Sequence, residues 1–193
     1  MIRRRVGFAL MIAGGVMTTF AGSRYVSGAA AQDRARREWD AQEASDAFDK
    51  TLAAVAPRGD VAIRHGAPVA RLQIAKIGLD EIVLEGIDDD AMNGGPGHYP
   101  GSPLPGGKGN SIISAHRDRH FRHLGELVLG DTVVTQSGTI TTRWVIVKRQ
   151  VVGKERPVLF PSRTATLTLT TCWPIRYFGT APDRLILTAL PVS

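Results

Sequence analysis

From residue 68 onward the chain alternates short strand-like runs with glycine and proline turns. The runs are rich in Val, Ile, Leu and Thr, which favour β-strands, and compact turns are indicated at Gly78 and at Ser137-Gly138. Helical crossovers of about a dozen residues, which a parallel βαβ fold needs, are missing between the runs. The pattern predicts a mainly β fold, an eight-stranded closed or nearly closed barrel. We expect strands near residues 69–77, 81–86, 110–115, 131–136, 139–147, 148–153, 165–171 and 184–190, with short helices at 88–93 and 119–127.

The N-terminus has the pattern of a membrane-targeting segment. Arginines occupy positions 3–5, and residues 6–22 form an apolar run of 17 residues without a charge. That length is at the lower edge of what spans a bilayer, and the arginines predict a cytoplasmic N-terminus. One interpretation is an uncleaved signal anchor, and the other is a signal peptide cut near the alanines at 29–31. We favour the anchor, because residue 22 lies far from those alanines. Either way we expect the remaining chain on the extracytoplasmic, periplasmic side of the plasma (inner) membrane, held in the anchored case by one span.

A polar helix is predicted between this run and the strands. Residues 32–55 are rich in Ala, Arg, Glu and Asp, and Pro57 and Gly59 would end the helix. Trp39, Phe48 and Leu52 are spaced roughly as on one helical face, which suits a stalk or an arm docked on the domain. We therefore divide the chain into an anchor or signal region at 1–31, a helical linker at 32–67 and the strand-rich domain at 68–193.

Composition and motifs exclude two classes of partner. The net charge is +6, from 24 basic and 18 acidic residues, without a dense basic stripe interleaved with aromatic residues, so nucleic-acid binding is not indicated. Residues 106–109 read Gly-Gly-Lys-Gly, but a phosphate-binding loop needs Gly-Lys-Ser/Thr at the start of a helix. No internal disulfide can form, because Cys172 is the one cysteine. That cysteine is a buried filler, an intermolecular bridge or a reactive thiol.

Cys172 lies at the end of a predicted strand. Strand alternation directs Leu167 and Leu169 toward the core and places Thr168, Thr170 and Cys172 on the opposite, polar face. Trp173-Pro174 then stops the strand. An inert cysteine is an equally good interpretation of this segment alone, because a nucleophilic thiolate needs a positive neighbour.

Two residues can supply that neighbour. His116 ends the strand Ser-Ile-Ile-Ser-Ala-His, and Arg184 opens the last strand. If the last two strands pair antiparallel, Cys172 and Arg184 meet at the same end of the sheet. His116 could then exchange protons with an amine, and Arg184 could donate hydrogen bonds to an oxyanion.

These segments together resemble a known family. Thr-Leu-Thr-Thr-Cys followed by an aromatic residue and proline, an arginine leading the terminal strand, and Ser-Ala-His-Arg-Asp around His116 are similar to the corresponding segments of sortases. Trp173-Pro174, the tail at residues 180–189 and the short chain look most like the class D-related sortases of Gram-negative bacteria. The resemblance covers residues 68–192 and also the N-terminal anchor and helical linker. The resemblance implies that Cys172 is the nucleophile, His116 the acid/base and Arg184 the stabiliser of the oxyanion or substrate.

The resemblance also implies a reaction and its partners. A sortase is a cysteine transpeptidase that cleaves an LPXTG-like sorting signal between Thr and Gly, forms a thioacyl-enzyme and transfers the acyl group to an amine nucleophile; water would give hydrolysis. The implied partners are a protein substrate with that C-terminal signal, an amine acceptor and the membrane, with no cofactor and no metal. Thr170 and Thr171 are candidate substrate-binding residues. Residues 155–163, which include Pro157, Leu159, Phe160 and Pro161, are either the wall of the substrate pocket or a surface loop.

Other interpretations stay open. His116, His120 and His123 with Asp118 suggest a metal site, which the surrounding arginines disfavour. Asp118 could instead orient His116, and we interpret His65 and His98 as solvated loop residues. Another exported cysteine peptidase is a rival, although papain-like enzymes place Cys before His. A non-enzymatic, membrane-tethered β-barrel binding module with an incidental cysteine is the second rival.

Overall fold

Eight strands and two helices make up the fold of this computed structural model, which describes residues 2–52, 63–157 and 160–192. The helices are α1 (Ile2–Leu52) and α2 (Asp89–Gly94), and 3₁₀ turns lie at Ala75–Ile77 and Leu124–Glu126. The strands are β1 (Pro68–Ile74), β2 (Leu79–Glu85), β3 (Gly97–His98), β4 (Asn110–Ser114), β5 (Thr132–Ser137), β6 (Ile140–Gly153), β7 (Thr166–Trp173) and β8 (Asp183–Pro191).

The strands close into a barrel in the order β1-β2-β3-β4-β7-β8-β6-β5, and β5 pairs with β1 to complete it. Most neighbours are antiparallel, but β2 pairs with β3 and β4 pairs with β7 in parallel. Closure pairs the two outer strands of the sheet and so removes its free edges. The predicted mainly β, eight-stranded closed barrel is confirmed.

The barrel interior is filled by alternate residues of the strands. Trp144 is fully buried, and its indole Nε1 donates a hydrogen bond of 2.8 Å to Thr135 Oγ1. A buried Trp normally needs such a partner for its N–H. Leu167, Leu169 and Leu187 belong to the same core cluster, so β7 and β8 each direct one face inward.

Three elements differ from the sequence expectation. The runs at 139–147 and 148–153 form one strand, β6, whose register with β8 shifts between Ile146 and Lys148, where the pattern had indicated a break. The two-residue strand β3 is embedded in a Gly/Pro-rich loop and has no pattern of its own. Residues 119–127 form turns and the 3₁₀ turn at Leu124–Glu126 instead of a helix, and Phe121 and Leu124 in this segment are fully buried in the core.

The long helix α1 packs along β2. The side chain of Gln32 accepts from the Ile82 amide at 3.1 Å and donates to the Ile82 carbonyl at 2.8 Å. Trp39, 5% exposed, packs with Ala35 against Ile82 and Leu84. The predicted arm therefore docks on the domain; its expected end at Pro57 and Gly59 lies outside the described residues.

Within the described part of the chain, no helix is both long and apolar enough to cross a bilayer.

Candidate active site

Cys172 lies directly opposite Arg184. The antiparallel ladder of β7 and β8 pairs the two residues one position before its end, and Trp173 with Asp183 forms the last pair. Cys172 is solvent-exposed. The expected antiparallel pairing of the last two strands is present, and it brings the thiol and the guanidinium to one end of the barrel.

His116 reaches the same end from the other neighbour of β7. The parallel ladder of β4 and β7 ends at Ser114 opposite Thr170, and the Ala115 amide continues it with a bond of 3.3 Å to the Thr170 carbonyl. Two residues beyond that last pair, the two strand ends reach His116 and Cys172. Neighbouring strands lie about 4.8 Å apart, so both side chains lie at the same rim.

The register places Cys172 and Arg184 on one face of the β7–β8 pair, and His116 follows the end of β4. Thr170 and Ile186 form the next pair along this face, and both are buried, at 3% and 1% exposure. The sequence pattern had indicated an open polar surface for Thr168 and Thr170, but Thr168 is also buried and donates to Asn110 Oδ1 at 2.8 Å. Only the rim of this face, at Cys172, is open to solvent.

The Cys172 thiol and the Arg184 guanidinium are both unpaired at this rim in the part of the chain that is described. Among the residues that the structure describes, neither the Cys172 thiol nor the Arg184 guanidinium has a hydrogen-bond or ion-pair partner. A guanidinium with all its N–H groups free can donate to a substrate oxygen.

His116 is half-buried, and its surroundings act on its protonation in opposite directions. Burial lowers the pKa of His116 below its usual value, while the carboxylates of Asp118 and Asp89 raise it and Arg119 and His120 lower it further. Asp89 Oδ1 lies 3.7 Å from the imidazole Nε2. Asp89 was not among the predicted site residues, because nothing in the local pattern of residues 88–90 links this short helix to His116.

The β7–β8 loop is held beside the rim by Arg117. Its guanidinium donates to the carbonyls of Pro174, Tyr177 and Gly179 at 3.2, 3.2 and 2.6 Å. An open cavity of about 700 Å³ lies next to this loop and is lined by Trp173, Ile175 and Arg176 among others. This cavity adjoins the strand end that carries Cys172. In the sequence, Arg117 had been noted only as one of the positive charges that disfavour a metal site.

The two candidate substrate-binding threonines have different surroundings. The Thr171 hydroxyl is buried and donates to the Ala115 carbonyl at 2.7 Å, next to His116. The Thr170 hydroxyl shares the face of Cys172 and, in the described structure, has no hydrogen-bond partner. A buried hydroxyl without a partner is uncommon, and this one lies just below the open rim but is closed to solvent.

The segment proposed as a pocket wall is only partly described. In residues 155–163, Pro157, Phe160 and Pro161 are exposed, and Leu159 lies outside the described residues. Ser162 and Thr166 are joined by their hydroxyls at 2.9 Å, which ties the end of this loop to the start of β7.

The other histidines are engaged in pairs. His98 was expected to be solvated, and this is wrong: it is 2% exposed, its Nδ1 is 2.6 Å from Glu85 Oε2, and its Nε2 is 2.9 Å from Ser102 Oγ. His65 is mostly exposed and pairs with Asp88. Across the described ranges, no group of three His, Cys, Asp or Glu side chains is arranged to hold a metal ion.

Comparison with known proteins places this geometry in a family. Residues 72–192 match the model of the family described as "Sortase domain". Sortase D of Bacillus subtilis (strain 168) is 38% identical over 120 residues, and the match spans 60% of this chain and 60% of that curated relative.

Solved structures agree in fold. A Clostridium perfringens Sortase D5 transpeptidase superposes with a TM-score of 0.69 at 24% identity, covering 85% of this chain and 99% of that one. The catalytic domain of B. anthracis SrtD gives 0.57 at 31% identity, covering 73% of this chain and 97% of that one. With a family match over most of its length and the same barrel as these structures, the chain belongs to the sortase family.

Proposed function

We propose that this chain is a membrane-anchored cysteine transpeptidase with Cys172 as nucleophile, His116 as acid/base and Arg184 as stabiliser of the oxyanion or substrate. The observation that carries the proposal is the placement of these three side chains at one rim of the barrel. Cys172 and Arg184 are register partners there, and His116 ends the strand on the other side of β7. Membership of the sortase family supports the reaction class.

The proposed reaction has two halves that use the same groups. The Cys172 thiolate attacks the threonine carbonyl of a Thr–Gly bond, and Arg184 donates hydrogen bonds to the oxyanion that forms. The C–N bond then breaks, His116 gives its proton to the departing glycine amine, and a thioacyl-enzyme remains. An acceptor amine next attacks the thioester, loses its proton to His116 and releases the Cys172 thiolate.

The proposed substrate is a protein with a C-terminal LPXTG-like sorting signal. The thioacyl chemistry needs an extended peptide whose scissile bond reaches the rim. Of the two candidate substrate-binding residues, Thr170 has the unpartnered hydroxyl on the Cys172 face, but that hydroxyl is buried, so a substrate would bond it only after the rim above it opens. The Thr171 hydroxyl is already bonded to Ala115, so we assign it the task of holding the strand end that carries His116.

Membrane attachment through the N-terminal helix is part of the proposal. The arginines at 3–5 and the uncharged run at 6–22 support a single-pass anchor with the catalytic domain on the extracytoplasmic side of the plasma (inner) membrane. In this organisation residues 1–31 are the anchor region, 32–67 the linker and 68–193 the catalytic domain. A cut near residues 29–31 would remove Gly28, which is buried where α1 meets the Asn93 carbonyl, so the contacts support an uncleaved helix.

The test of the proposed function is removal of the thiol. We expect Cys172→Ala to reduce cleavage of a fluorogenic Leu-Pro-X-Thr-Gly peptide library by at least about 10³-fold, because an activated nucleophile cannot be replaced by a methyl group. Thr139→Ala, at the exposed β5–β6 turn, is the control and should keep full turnover. Mass spectrometry of the wild-type chain with the same library should show an acyl adduct on Cys172.

The outcomes separate the proposal from its rivals. Unchanged turnover in Cys172→Ala with an intact fold would exclude Cys172 as the nucleophile. A binding module would show no acyl adduct and a slowly alkylated thiol. Release of the peptide without transfer to any added amine would indicate a hydrolytic cysteine peptidase instead.

A further inference from the structure

The carboxylate nearest to His116 belongs to α2, not to the catalytic strands. Asp89 opens this helix, and its Oδ1 lies 3.7 Å from the imidazole Nε2. Among the described residues, Asp89 is the one acidic residue within ion-pair distance of His116. Asp118, two positions away in sequence, lies beyond ion-pair distance, although its charge raises the pKa of His116 more than that of Asp89 does.

The start of α2 is fixed by its own cap. The Asp88 carboxylate accepts hydrogen bonds of 3.1 Å from the amides of Asp90 and Ala91, and it also pairs with the His65 ring. The His65 hydrogen bond, with the backbone bonds, lowers the pKa of Asp88 to about 2, so the cap stays ionised. Side-chain caps of this kind hold the first turn of a helix in place, and Asp89 is in that turn.

The other end of α2 is held by α1. A Cβ added to Gly28 of α1 would lie 2.7 Å from the Asn93 carbonyl oxygen in α2. A Cβ on Gly94 would lie 3.2 Å from Ala31, and one on Gly95 would lie 2.2 Å from the Gln32 amide nitrogen. The backbones of the two helices are therefore in direct contact, and α2 cannot shift toward α1 without displacing it.

We propose that Asp89 is a positioning residue for His116 and that the docked helix α1, acting through α2, keeps it in place. The proposal rests on the proposed role of His116 as the acid/base. The contact is longer than a hydrogen bond and the Asp89 side chain is 83% exposed, so Asp89 acts by its charge: it favours the imidazolium that protonates the departing amine and draws the charged ring toward α2. The linker helix would thereby contribute to catalysis without touching the substrate.

The charges around His116 decide how the proposal must be tested. Asp118 and Asp89 favour the imidazolium, while burial, Arg119 and His120 disfavour it, and Cys172 and Arg184 lie at the same rim. Arg119 also approaches α1, since its Nη1 would lie 3.3 Å from a Cβ on Gly28. A change in α1 could therefore act through either Asp89 or Arg119, so Asp89 must be substituted directly.

The first experiment titrates His116 by NMR in the full-length chain, with ¹³C-labelled histidine and assignment by a His116→Gln spectrum. We expect Asp89→Asn to lower the pKa of His116 and to lower kcat at pH 7 by about two- to fivefold with KM unchanged. Asp89→Glu keeps the charge and should recover most of the loss. Asp90→Asn is the matched control, because it removes the same charge from the next, exposed residue of α2.

The second experiment uses two glycines of α1. Gly28→Ala places a methyl group against the Asn93 carbonyl, whereas Gly22→Ala meets nothing within 4 Å and raises helix propensity equally. We expect Gly28→Ala, but not Gly22→Ala, to lower the pKa of His116. In the double variant with Asp89→Asn, Gly28→Ala should lower that pKa no further than Asp89→Asn does alone.

Either of two results would overturn the positioning role: an unchanged His116 titration in Asp89→Asn, or an equal shift in Asp90→Asn. If Gly28→Ala still lowers the pKa of His116 in the Asp89→Asn background, α1 does not act through Asp89, and that part of the proposal is overturned. The titration needs no substrate, so it can succeed or fail independently of peptide cleavage.

Discussion

At the scale of single residues, the unpaired Arg184 side chain is informative. A buried arginine that stabilises a fold is usually bonded to a carboxylate, but this half-exposed guanidinium has no such partner within the described ranges. It lies opposite the thiol, and in the proposed function its planar set of N–H donors binds the oxyanion.

We therefore expect Arg184→Lys to lose activity although the charge is kept. An ammonium cannot reproduce the planar donor geometry, and removal of one oxyanion donor costs about 10²–10³ in kcat. Steady-state cleavage of the peptide substrate measures the effect, with Arg143→Lys on the exposed face of β6 as the control. Near-normal rates for Arg184→Lys would reduce Arg184 to a structural residue.

Much of the arrangement of the site was predictable because strand alternation has a period of two. The buried Leu167 and Leu169 show which face of β7 points inward, and it follows that Cys172 lies on the opposite face. The contribution of Asp89 was not predictable, since it depends on how α2 packs between β2 and α1. The burial of His98 was missed for a similar reason, because its partners Glu85 and Ser102 come from separate segments.

At the scale of elements, the docked helix α1 shows where sequence patterns fail. Its contacts with β2 are made by Gln32 to backbone atoms and by one aromatic ring, and neither leaves a strong apolar stripe. The polar composition of residues 32–55 thus predicted a helix but left open whether it was a free stalk or a docked arm. The barrel was easier to predict, since its strands are rich in β-branched residues and its turns contain Gly78 and Gly138, both with positive φ.

Trp39 should provide most of the docking energy. Truncation of a buried Trp costs about 3–5 kcal/mol, so we expect Trp39→Ala to lower the free energy of unfolding by roughly that amount and to speed hydrogen exchange at the Ile82 amide. Arg37→Ala, on the exposed side of the same helix, should change stability by less than about 0.5 kcal/mol. Equal effects of the two substitutions would mean that the helix is not held through this cluster.

At the scale of the whole molecule, one helix joins the proposed anchor to the catalytic rim. Gly28 contacts Asn93 of α2, the helix that carries Asp89, and it lies six helical steps, about 9 Å, beyond Gly22 at the end of the apolar run. An anchored chain would therefore hold its rim near the membrane surface, where a substrate that is itself tethered to the membrane can reach it.

The anchor can be tested by charging its centre. Ile12 and Val16 are exposed on α1, and a lysine at the centre of a span costs about 2.5–3.5 kcal/mol. We expect the double change Ile12→Lys and Val16→Lys to move the chain from the carbonate-washed membrane fraction to the soluble fraction. Val26→Lys, on the same helix but outside the apolar run, should leave it in the membrane. A soluble wild-type chain whose N-terminus maps near Gln32 would instead establish a cleaved signal peptide.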